Sequence, residues 1–136
     1  MDETVSIVLF SGTDDKLTAA ATLAAGAAAL GRPVKIMLQY WALDAFRSDR
    51  IALDHGVAPE AGEAGRSAFA AAKAKQSHWA ETLRAAKELG EVDIQACSQS
   101  MDVLGLKQSD LDPLVDGIEG VAAFFINAGE GQLLFI

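Results

Sequence analysis

Apolar residues fall along this chain in continuous runs and in helical repeats, and their alternation sets the expected fold. Val5-Ser6-Ile7-Val8-Leu9-Phe10 is apolar and rich in β-branched residues, ends at Ser11-Gly12, and suits a strand buried on both faces. Thr13, Asp14 and Asp15 then offer N-cap and first-turn groups, while Gly31-Arg32-Pro33 supplies a stop, so a helix is expected from Asp15 to Leu30. From Leu17 to Leu30 it is uncharged and mainly alanine. With no polar face to meet water, it calls for cover on more than one side. Val34 to Gln39 reads as the second strand, with Tyr40-Trp41 at its end and a short helical stretch to Phe46.

The pattern fails between Ser48 and Arg66, where Gly56, Pro59, Gly62 and Gly65 interrupt any period. A long loop of this kind inside a compact domain is expected to be a mobile cover near the carboxyl edge of the sheet. Spacings of three and four resume at Phe69, Ala72, Gln76, Trp79, Leu83 and Ala86, predicting one long amphipathic helix from Ser67 to Leu89 capped by Gly90. Val92 to Cys97 alternates like a strand. Ser98 or Ser100 is expected to cap a short helix that closes at Gly105. Another helical turn near Ser109 to Pro113, an extended piece around Ile118, a helix from Val121 to Asn127 and a strand from Leu133 to Ile136 complete the reading. Strands alternating with helices predict an α/β fold with a mostly parallel sheet of roughly five strands and helices on both faces.

The 136 residues suit one domain, and 51% hydrophobic residues are enough for a sizeable core. No apolar run reaches the ~18 to 20 residues that span a bilayer, and Met1-Asp2-Glu3 is unlike a basic signal-peptide start. A soluble, cytoplasmic protein with no membrane association is expected. The formal net charge of −8 opposes phosphate backbones, which argues against nucleic acid and favours basic protein partners.

Open parallel sheets present ligands beyond the carboxyl ends of their strands. Three such ends carry candidate residues: Ser11, Gly12 and Thr13; Tyr40 and Trp41; and Cys97 with Ser98, Ser100 and Met101. Cys97 is the single cysteine, so it forms no internal disulfide and belongs to no CxxC motif. Its place before a predicted helix N-terminus favours a thiolate nucleophile, against the bland alternative of a buried packing residue. The other residues are candidate walls of a pocket near it. A flavin or nucleotide phosphate in the first loop is disfavoured by Asp14 and Asp15 and by the lack of a glycine-rich phosphate motif. Asp14 reads as a cap. Neither His55 nor His78 has a second ligand at metal spacing, so neither a metal nor a cofactor is expected.

The segment Val92-Asp93-Ile94-Gln95-Ala96-Cys97-Ser98-Gln99-Ser100-Met101-Asp102-Val103-Leu104-Gly105-Leu106 resembles the Ala-Cys, Ser-Met, Gly core of the DsrE/DsrF/TusD-like family. Phe10 to Leu17, the alanine-rich helix ending at Gly31, Asp110-Leu111, and Gly117 to Phe125 with Val121-Ala122-Ala123-Phe124-Phe125 are similar to it as well. The resemblance implies a flavodoxin-like three-layer fold, a homo-oligomer built as a trimer or a dimer of trimers, and sulfur relay. In active members a cysteine carries persulfide sulfur between proteins such as TusA, a role that falls here on Cys97. A sulfurtransferase-like carrier is therefore expected. A non-catalytic oligomeric scaffold or small-ligand-binding subunit, with Cys97 only packed, is the alternative.

Overall fold

The computed structural model describes residues 2–136. Five parallel strands, β1 (Val5–Leu9), β2 (Val34–Leu38), β3 (Val92–Cys97), β4 (Gly117–Glu119) and β5 (Gln132–Phe135), form one sheet in the order β4-β3-β2-β1-β5. Ile7 is paired with Ile36 and Leu134, and Ile36 with Ile94, so a row of apolar side chains crosses the sheet at one level. The helices are α1 (Asp14–Ala29), α2 (Tyr40–Ala45), α3 (Gly62–Lys73), α4 (Trp79–Leu89), α5 (Ser98–Leu104) and α6 (Val121–Ala128).

Strand alternation divides the apolar residues between two faces. Ile7, Leu9, Ile36, Leu38, Ile94 and Ala96 point into the main core with Leu17, Ala20, Ala24, Trp79, Leu83 and Ala86 of α1 and α4. Alanines at the buried positions of α1 let it lie close against α4. On the opposite face Met37 and Cys97 pack with Phe124 of α6, and Val8 joins them. The cover is unequal. Phe125 and Ile126 of α6 are 53% and 79% exposed, and Leu133 and Phe135 of β5 lie open beside them.

The observed elements depart from the expected ones at three places. The single helix expected over Ser67 to Leu89 is two, because residues 74–78 turn between α3 and α4 and His78 caps the second, its Nδ1 accepting the Ala80 amide. The stretch from Ser48 to Arg66 is not all loop: Ile51 and Ala58 are buried, residues Pro59–Ala61 form a 3-10 turn, and α3 begins at Gly62. Cys97, rather than Ser98 or Ser100, occupies the N-cap of α5. α1 is buried against the sheet and against α4, while its outer side, with Ala19, Thr22, Leu23 and Gly26, is exposed in the single chain.

Candidate functional site

The loops following β1 and β2 lie against one another at the carboxyl end of the sheet. The Gln39 amide donates to the Leu9 carbonyl and the Ala42 amide to the Phe10 carbonyl. This approach requires glycine at position 12, where a Cβ would stand 2.8 Å from the carbonyl carbon of Trp41 and closer still to its oxygen. Ser11 and Thr13 face each other with hydroxyl oxygens 3.4 Å apart. Tyr40 has a positive φ of 40°, uncommon for a bulky residue, and its ring sits 5.6 Å from Phe10 and 6.1 Å from Trp41. Phe10 in turn stacks obliquely on Phe135. Ser11, Gly12, Thr13, Tyr40 and Trp41 are thus one neighbourhood.

Cys97 ends β3 opposite Glu119 of β4 and is 2% exposed. Its side chain meets Met37 and Phe124 rather than that aromatic group. Outside this trio lies a cavity of about 340 Å³ lined by Val8, Met37, Gln39, Phe124, Phe125 and Phe135, among others. Val8, Met37 and Phe124 belong both to the cavity and to the thiol's surroundings, so the cysteine sits just beneath the cavity floor. None of Ser11, Gly12, Thr13, Tyr40, Trp41, Ser98, Ser100 and Met101 lines it. Ser98 is half-buried, with its hydroxyl near Gly120. Ser100 and Met101 are buried, and Met101 points into the main core on the other side of the sheet. The Ser100 hydroxyl has no hydrogen-bond partner among the described residues.

A second constellation, absent from the sequence reading, surrounds Asp14. Its carboxylate is 1% exposed and accepts the His55 amide and the Lys73 ammonium on Oδ2, at 2.9 and 2.7 Å, and the Trp79 indole N–H on Oδ1 at 3.0 Å. Asp14 is therefore not a cap, and Thr13 holds the N-cap position without a side-chain capping bond to the helix. Asp15 instead receives the Ala58 amide, so both carboxylates fasten the segment after α2 over the start of α1. Burial pushes the Asp14 carboxyl up, but the bonds from Lys73, His55 and Trp79 outweigh it and hold it below its ordinary value. Burial likewise pulls the Lys73 ammonium down, and its pairing with Asp14 more than compensates, raising it. His78 is lowered by burial, against the opposing charge of Asp14. The partners of Asp14 lie 41, 59 and 65 residues away, beyond the reach of any local motif.

The family model of the DsrE/DsrF/DrsH-like family matches residues 1–59 and 70–136 of this chain. The chain belongs to that family. It is 32% identical to the uncharacterized protein YrkE of Bacillus subtilis (strain 168) over 153 residues, spanning 96% of this chain and 95% of that protein. Its fold is similar to that of MTH1491 from Methanobacterium thermoautotrophicum, a protein of unknown function. That match has a TM-score of 0.61 at 11% identity and covers 99% of this chain and 100% of the other. The family's α/β arrangement thus accounts for the sheet and its helices. Residues 60–69, which contain most of α3, fall outside the family match.

No helix among the described residues is long and apolar enough to cross a membrane, and they hold no group of three or more metal-ligating side chains.

Proposed function

We propose that this DsrE-like protein relays sulfane sulfur, carrying it as a persulfide on Cys97 and exchanging it with thiol proteins of the TusA-like kind in the cytoplasm. The observation that carries the reading is the position of Cys97: the chain's single cysteine ends β3 at the carboxyl edge of the sheet, within a family match that includes the Ala96-Cys97 and Ser100-Met101 segment. In the transfer, the Cys97 thiolate attacks the terminal sulfur of a donor persulfide. The donor S–S bond breaks, the donor leaves as a thiolate, and a new S–S bond forms on Cys97 with no net oxidation. A second thiolate reverses the step on an acceptor. With no other cysteine in the chain, the sulfur stays on Cys97 until another molecule removes it.

Homo-oligomerisation belongs to the same reading. Val121, Phe125, Ile126, Leu133 and Phe135 expose an apolar stripe over the thinly covered face, and surfaces of this kind are ordinarily buried between chains. The −8 net charge favours a basic sulfur-carrier partner over a nucleic acid.

The test is incubation with a persulfidated carrier protein, followed by intact-mass measurement of wild type and Cys97→Ser. A gain of about 32 Da on wild type alone supports relay. No gain, or an equal gain on Cys97→Ser, leaves Cys97 as a packing residue in a scaffold, a reading its burial would then favour.

A further inference from the structure

We propose that the cavity beside Asp14 is a binding site for a small organic ammonium compound, and that the ammonium of Lys73 is a tethered occupant which closes it. The cavity is about 230 Å³ and is lined by Asp14, Thr18, Leu53, Asp54, Phe69, Lys73 and Trp79, among others. Within it the Lys73 Nζ lies 2.7 Å from Asp14 Oδ2, 3.5 Å from Asp54 Oδ1, and 5.7 Å from the centre of the Phe69 ring. Two carboxylates and an aromatic face are the groups that recognise an organic cation. Two anionic walls also exclude an anionic ligand.

The fixed and movable parts of this cage are distinct. Asp14 is locked by the amide of His55 and the indole of Trp79, so it keeps its position without the lysine. Lys73, by contrast, is the last residue of α3, a twelve-residue helix with no buried residue, most of which lies outside the family match. The ammonium therefore reaches a fixed carboxylate from a weakly anchored element, which also carries Phe69. An external ammonium that displaces it takes over its bonds to Asp14 and Asp54, and a short alkyl portion has Leu53, Phe69 and Trp79 to lie against. The volume suits a ligand smaller than the drug-sized molecules that fill pockets of about 300 to 1,000 Å³. Because Lys73 competes from within the same chain, at an effective concentration in the millimolar range, it weakens the external ligand until it is removed.

The probe is n-butylammonium, titrated at pH 8 into full-length protein carrying Trp41→Phe, so that Trp79 alone supplies the fluorescence. Sodium chloride holds the ionic strength constant, and n-butanol and butyrate serve as uncharged and anionic controls. Saturable change with n-butylammonium and not with the controls is expected. Adding Lys73→Met should tighten binding at least about tenfold. Asp54→Asn, at an exposed position that does not threaten the fold, should weaken it several-fold. No saturable response in the Lys73→Met protein overturns the proposal. So does an equal response to n-butanol, which would make the cavity merely apolar, or binding no tighter in Lys73→Met than with the lysine present.

Discussion

The indole N–H of Trp79 donates to Asp14 Oδ1 over 3.0 Å, tying the first residue of α4 to the first residue of α1. The ring itself is buried against Phe46, with centroids 5.0 Å apart, and between the imidazoles of His55 and His78. The bond joins two helices that cover the same face of the sheet, and the carboxylate's other oxygen holds the segment from α2 and the end of α3. Asp14→Ala strips a partner from two buried or half-buried N–H groups and from one ammonium. A loss of about 3 kcal/mol in unfolding free energy is expected, measured by urea denaturation at pH 7. A change within about 0.5 kcal/mol would show that the cluster contributes nothing net.

His78 gives the same corner a pH dependence. Its Nδ1 accepts the Ala80 amide, which needs that nitrogen unprotonated, and burial lowers its pKa from the ordinary 6.5. The groups facing it are Asp14, Lys73, His55 and Arg84. Since the folded value lies below the unfolded one, the unfolded chain takes up the proton first as the pH falls. The contribution of His78 is therefore complete above about pH 6.5 and lost as the pH drops through the folded value. Asp14, also lowered, adds a second loss below its ordinary 3.8 by the same sign. His78→Asn keeps a capping acceptor without the titration, so its stability should be flatter than wild type between pH 7 and pH 5. Parallel pH profiles for the two proteins would contradict this.

Much of the fold was legible because strands and helices announced themselves locally. The β-branched runs at Val5 and Val34, the alternation at Val92, and Gly31, Gly90 and Gly105 gave element types and stops that the structure keeps within one or two residues. The break between α3 and α4 was not legible from spacing, because Phe69, Ala72, Gln76, Trp79 and Leu83 continue a helical period straight through it. Ser77-His78 followed by Glu81 in the first turn of α4 was the local signal for a new start, set by capping rather than by hydrophobicity. The site was legible in part. Cys97 stands at a carboxyl strand end, as its place in the sequence implied, but which face it takes depends on strand parity. Ala96 points to the main core and Cys97 to α6, so residues that are neighbours in sequence, Cys97 and Met101, lie on opposite sides of the sheet.

The contact between Gly12 and Trp41 is a further point where one atom decides. A Cβ at position 12 meets backbone, which cannot rotate aside as a side chain can. Gly12→Ala should push the β1–α1 and β2–α2 loops apart and cost about 1 to 3 kcal/mol by thermal or chemical unfolding. The ring of Tyr40, placed by its unusual φ between Phe10 and Trp41, should lose its near-ultraviolet circular dichroism in the same variant. Retention of both stability and that signal would mean that the loops are free to separate.

Phe124 closes over Cys97. The ring is 1% exposed and the thiol 2% exposed, and both contact Met37, so a partner's sulfur has no straight path to the cysteine while the ring stays in place. The adjoining cavity of about 340 Å³, bounded by Val8, Gln39, Phe125 and Phe135, is space into which a phenyl ring can turn. Its cover, α6, is an eight-residue helix with Phe124 and Ala128 as its buried anchors. Native Cys97 should therefore react slowly with iodoacetamide, at a rate limited by movement of Phe124 or α6. Phe124→Ala should speed alkylation at least about tenfold while costing about 3 to 5 kcal/mol of stability. Phe124→Leu, a milder loss of about 1 kcal/mol, separates local opening from general unfolding. In that variant, alkylation should accelerate while the urea midpoint moves little. Unchanged alkylation rates in both variants would show that Phe124 does not control access. Acceleration matched only by each variant's loss of global stability would place the barrier in unfolding of the whole chain.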